Sequence, residues 1–96
     1  MPVHVGDVYT VQGARANKAQ ALKILEEAAE VFAAWQVLSL EFSQIGKEAA
    51  EEVLVSEIAD LITAACGMIA GLGFWEAAEA FELCKMHNEK RGRVME

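Results

Sequence analysis

Residues 17–38 contain neither glycine nor proline and are built from strong helix formers, so the first long element of this chain is a helix. Projected at about 100° per residue, its apolar positions cover roughly 200° of the circumference. Leu38, Val31, Ile24, Trp35 and Ala28 form one flank, and Phe32, Leu25, Ala29 and Leu22 the next. A helix with one neighbour needs an apolar stripe only about half as wide. This one must be covered on two sides. Yet the chain has only 96 residues and 10.4 kDa, enough for one small domain, residues 1–96, with one core. A wide apolar helix in so short a chain predicts an all-α antiparallel helical bundle completed by oligomerisation, at least a homodimer, with the first two long helices in the interface.

Charge and composition narrow the partners. Hydrophobic residues make up 54% of the chain, with one proline and no low-complexity tract, which describes a packed domain. Fifteen acids against eight bases give a net charge of −7, so neither nucleic acid nor an anionic membrane is expected as a partner. Cys66 and Cys84 lack zinc-ligand spacing, and no secretory leader opens the sequence, so two reduced thiols and a cytoplasmic protein are expected. The apolar residues 61–72 are too few for a membrane span of roughly 20 and follow Glu51, Glu52, Glu57 and Asp60, so they read as a buried helix.

Along the chain, residues 1–13 suggest an extended arm or hairpin around Gly6. Asn17 and Gln20 have capping-box spacing at the start of the first helix. Residues 39–46 read as a loop and residues 47–70 as a second helix, stopped by Gly71-Leu72-Gly73. A third helix is expected from about Phe74 towards Arg91, with residues 86–96 forming a basic tail.

The chemistry lies in the carboxylates. Glu26, Glu27 and Glu30 share one sector of the first helix, and Glu57 and Asp60 lie together at the border of the apolar side of the second. Acids three apart repel across a helix turn by a few tenths of a kcal/mol per pair, and a hard divalent cation offsets that directly. If the helices pack antiparallel, Glu27, Glu30, Glu57 and Asp60 can converge. The spacing alone leaves two readings open, a metal site or acids lining a wet groove or dimer rim. Glu76, Glu79 and Glu82 repeat the spacing without a facing pair and read as solvated, with Lys85 in reach of Glu82. Glu48, Glu51 and Glu52 read as surface acids near a helix N-terminus.

Glu26-Glu27-Ala28-Ala29-Glu30, followed after 26 residues by Glu57-Ile58-Ala59-Asp60, resembles the EExxE…ExxD signature of the MazG-like all-α nucleotide pyrophosphohydrolases. Lys85-Met86-His87-Asn88-Glu89-Lys90-Arg91 resembles the Lys/Asn/Arg element found after the last core helix in many members of that superfamily. The resemblance spans about residues 17–93. It implies Mg²⁺-dependent (or Mn²⁺-dependent) hydrolysis of a nucleoside triphosphate between the α- and β-phosphates, giving the monophosphate and pyrophosphate. By the same resemblance Glu27, Glu30, Glu57 and Asp60 are metal ligands, Glu26 is a base or outer-shell residue, Lys85 and Arg91 contact phosphate, and Asn88 contacts the nucleotide. Lys18 and Lys23 are the weaker basic candidates. Trp35 and Trp75 read as core residues rather than base-stacking platforms. Phosphoribosyl-ATP pyrophosphohydrolase, from the same superfamily, and a non-catalytic helical dimerisation module are the alternatives.

Overall fold

The computed structural model describes residues 1–92 and contains three helices: α1 (Lys18–Ser39), α2 (Gln44–Gly71) and α3 (Ala78–Lys90). No strand occurs among the described residues, so the chain is all-α. Arg93 and the end of the expected basic tail lie outside them.

Local chemistry explains each boundary. Asn17 caps α1, its Oδ1 accepting from the Gln20 backbone N–H at 3.0 Å. The Gln20 side chain does not close the reciprocal half of a capping box. It crosses to α2, where Nε2 donates to the Ala64 carbonyl at 2.8 Å. The second helix starts three residues before the expected position because Ser43 is its N-cap, the hydroxyl accepting from Gly46 N–H at 2.9 Å. Gly46 therefore belongs to the first turn of α2 and is not a break. At the other end Gly73 N–H donates to Ala70 O and Phe74 N–H to Ile69 O, the paired bonds of a Schellman motif. Gly73 adopts the left-handed φ of 87° that this ending requires. The same turn delays the third helix, which begins at Ala78 and not near Phe74. The third helix runs on to Lys90, with Arg91 as its C-cap, as expected, and the chain turns at Gly92 with φ 67°. Residues 1–11 form an arm with neither helix nor strand pairing.

α1 and α2 pack as an antiparallel hairpin across the four residues 40–43. Small residues occupy the seam: Ala34, Ala50, Ala64 and Gly67 are buried. A methyl group at Gly71 would collide with the backbone of Arg15 and Ala16, which fixes how the arm enters α1. α3 packs against neither α1 nor α2.

The hairpin leaves most large apolar side chains uncovered. Phe32, Trp35, Val55 and Phe81 are exposed, and no large side chain is fully buried among the described residues. Trp35 and Trp75, read as core, are both exposed in the single chain, and Trp35 stacks on Phe32 with centroids 5.9 Å apart. The accessible surface is 7985 Å², against about 5,400 Å² for a compact monomer of this mass. Likewise the radius of gyration is 15.7 Å, where about 12.5 Å is usual for this length.

Residues 61–72 are half-buried for the most part and continue the 28-residue α2, which is long and apolar enough by length and composition to cross a membrane. Glu57 and Asp60 stand inside that helix. A carboxylate at a bilayer centre costs about 2.5 to 3.5 kcal/mol.

Candidate metal centre

The antiparallel hairpin brings the acidic motifs of its two helices to the same height. Glu27 of α1 and Glu57 and Asp60 of α2 each offer a carboxylate oxygen within 4.8 Å of the other two. Glu27 and Glu57 are half-buried and Asp60 is exposed, so the group is rooted in the helix seam and opens to solvent on the Asp60 side.

Two oxygens in this group lack any hydrogen-bond partner: Glu27 Oε2 and Glu57 Oε2 are both buried. Burying a polar atom without a partner costs about 1 to 3 kcal/mol, and more when it carries charge. Two such atoms in one acidic group are unfavourable unless a proton or a cation offsets their charge. An oxygen-only donor set suits a hard cation such as Mg²⁺, whose ligands lie at about 2.0 to 2.1 Å with water filling the remaining positions. Opposite donors of such an ion are about 4.2 Å apart, so a spread of 4.8 Å closes with small side-chain rotations. The residues present fit the ion.

Glu30 borders the group without belonging to the converging three. Its carboxyl is held above its ordinary value of 4.5, first by the charge on Glu27, then by a hydrogen bond with the Glu27 carboxyl and, further down, by Glu57. Glu30 thus feels both helices' acids. Glu26 is exposed on α1 and stands outside the three-carboxylate group.

The expected phosphate contacts are placed elsewhere. Lys85 pairs with Glu89 at 3.8 Å, not with Glu82, and Asn88 Nδ2 donates to Cys84 Sγ at 3.6 Å. Arg91 ends α3. Because α3 packs against neither helix of the hairpin, one chain does not bring Lys85, Asn88 and Arg91 to the carboxylates.

Two further features surround the site. Lys23 Nζ lies 3.4 Å from Glu27 Oε1, a contact that its four-residue spacing signals. A cleft of about 350 Å³ beside the acids is walled by Thr10 and Val11 of the N-terminal arm, a placement that no local pattern announces. No family model, no curated protein sequence and no solved structure matches the chain.

Proposed function

We propose that this protein is a Mg²⁺-dependent nucleoside triphosphate pyrophosphohydrolase acting at the α–β phosphoanhydride. The observation that carries this reading is the convergence of Glu27, Glu57 and Asp60 around two buried, unpartnered carboxylate oxygens. The order and spacing of the motifs, which resemble those of MazG-like enzymes, supply the substrate class. Glu27, Glu57 and Asp60 would hold the ion, and Glu30 would join them as it gives up its proton. When bound, the ion supplies charge neutralisation for the phosphates and acidification of water. In the overall reaction water adds to the α-phosphorus, the bridging P–O bond breaks, and pyrophosphate departs. Glu26, exposed one residue before the ligand Glu27, is the outer-shell acceptor for the proton that water loses.

The active form in this reading is a homodimer or higher oligomer. Phe32, Trp35 and Val55 on the hairpin, together with Phe81 and Met86 on α3, are the apolar surface that a second copy covers. A protein partner also suits α2 better than a bilayer, given the cost of Glu57 and Asp60 there. The partners are therefore the nucleotide and further copies of the chain in the cytoplasm, with no role for nucleic acid or membrane.

A panel of nucleoside triphosphates and phosphoribosyl-ATP, scored for pyrophosphate release with Mg²⁺ and with a chelator, tests the reading. Metal-dependent release from at least one substrate is expected. Release from none, by a protein of confirmed helical content, would refute it.

A further inference from the structure

Glu27 shares its exposed side with a cation. Lys23, one turn earlier on α1, places Nζ 3.4 Å from Glu27 Oε1. Its side chain is 58% exposed while that of Glu27 is 13% exposed, so the ammonium sits where the buried carboxylate meets solvent. Both face the cleft of about 350 Å³, with Asp60 on the opposite helix and buried Gly67 also in its lining. Lys23 is the basic residue lining that cleft, whereas Lys85 and Arg91 lie on a helix that packs against neither wall.

We propose that Lys23 is a phosphate-binding residue, held by Glu27 until a divalent cation takes that carboxylate. The proposal rests on the metal-triphosphate reading of the acid cluster. Without metal, the ammonium offsets part of the charge that Glu27, Glu57 and Asp60 bring together. A divalent ion on Glu27 removes most of that attraction, and a polyphosphate entering the cleft offers Nζ new anionic oxygens within reach. The flexible four-carbon stem lets Nζ swing. An exposed ion pair across one helix turn is weak enough to be exchanged for it. Lys23 thereby couples the two ligands, since the pairing that opposes metal is released to favour phosphate.

This arrangement moves two affinities in opposite directions, which a merely structural lysine would not do. In Lys23→Gln the nucleotide-free protein should bind Mn²⁺ about two- to fivefold more tightly, because the competitor for Glu27 is gone. With Mn²⁺ saturating, the same variant should bind tripolyphosphate about tenfold or more weakly, having lost a charge-assisted contact. Lys23→Arg should recover most of the tripolyphosphate affinity. Titration calorimetry of both ligands on wild type and variants, with circular dichroism confirming the helices, reads all of this. Unchanged or weaker Mn²⁺ binding by Lys23→Gln, or tripolyphosphate affinity equal to wild type, would overturn the role of Lys23 alone. A wild-type protein with no saturable Mn²⁺ site would instead overturn the metal reading and this proposal with it.

Discussion

The α1–α2 hairpin and α3 carry acids at the same three-residue spacing, yet the structure treats them differently. On the hairpin, Glu27 meets Glu57 and Asp60 from the facing helix, with two oxygens buried and unpartnered. At α3, Glu79 and Glu82 are exposed, and Glu76 precedes the helix altogether. Spacing along one helix brings charges together; a second acidic helix, packed antiparallel through small residues such as Ala64 and Gly67, gathers carboxylates from both helices into one group. The comparison also separates the two halves of the expected active site. Carboxylates are assembled within one chain, while Lys85 and Arg91 lie at a helix that packs against neither helix of the hairpin.

The largest effect that would break the comparison is catalytic. Asp60→Ala or Glu57→Gln should lower Mg²⁺-dependent pyrophosphate release by about 10³-fold or more, equivalent to about 4 kcal/mol of transition-state stabilisation. Glu79→Ala, with the same local spacing, should stay within about twofold of wild type. Equal losses in both regions, measured under identical metal saturation, would erase the distinction.

Next is the phosphate half. Replacing Lys85 and Arg91 together with Ala should raise KM for a triphosphate by about tenfold or more, through loss of charged phosphate contacts. Mn²⁺ binding without nucleotide should be unchanged, because neither residue approaches the carboxylates within the chain. An unchanged KM would remove α3 from the phosphate site and leave Lys23 to hold the phosphates without it.

A smaller effect concerns protonation. Glu30 is protonated more readily in the folded protein than in the unfolded chain, since Glu27 and Glu57 oppose its charge. A raised folded-state value means that its stabilising contribution is complete below the ordinary value of 4.5 and is lost as pH rises through the folded value. In chelator, the wild-type Tm should therefore fall with rising pH across that range, and Glu30→Gln should flatten this part of the profile. Saturating Mg²⁺ should flatten it too, because the cation replaces the proton as the group that offsets repulsion. A profile identical in wild type and Glu30→Gln would show that Glu30 is not coupled to the cluster.

The smallest effect tests the seam. Gln20→Ala deletes the bond to Ala64 O and should cost about 0.5 to 1.5 kcal/mol, a few degrees of Tm in a domain of this size. A loss confined to α3, seen by hydrogen exchange, would contradict the placement of Gln20 between α1 and α2.

How much of this was legible in sequence differs by residue for physical reasons. Helix character, the Asn17 cap and the Gly71-Leu72-Gly73 stop depend on neighbours within one turn, and the pattern shows them. The start of α2 was obscured because Gly46 resembles a breaker until Ser43 is seen to bond its N–H. The interval between Gly73 and Ala78 was missed because a left-handed turn sets the direction of exit, and helix-forming residues after it do not reveal where helix resumes. Trp35 and Trp75 were misplaced for another reason: their apolar character calls for cover, but whether cover comes from this chain or another is not encoded locally. The carboxylate pairs were legible as candidates. The burial of Glu27 Oε2 and Glu57 Oε2, the feature that favours a cation, depends on packing between helices and appears only in three dimensions.

The hairpin carboxylates, and not those of α3, are proposed to form a cation site. Calorimetric titration of Mn²⁺ into the nucleotide-free protein tests this most directly, with Glu57→Gln and Glu79→Gln run alongside. Saturable binding is expected in wild type and Glu79→Gln, and its loss in Glu57→Gln. Saturable binding that persists undiminished in Glu57→Gln, or none in the wild-type protein, would contradict the proposal.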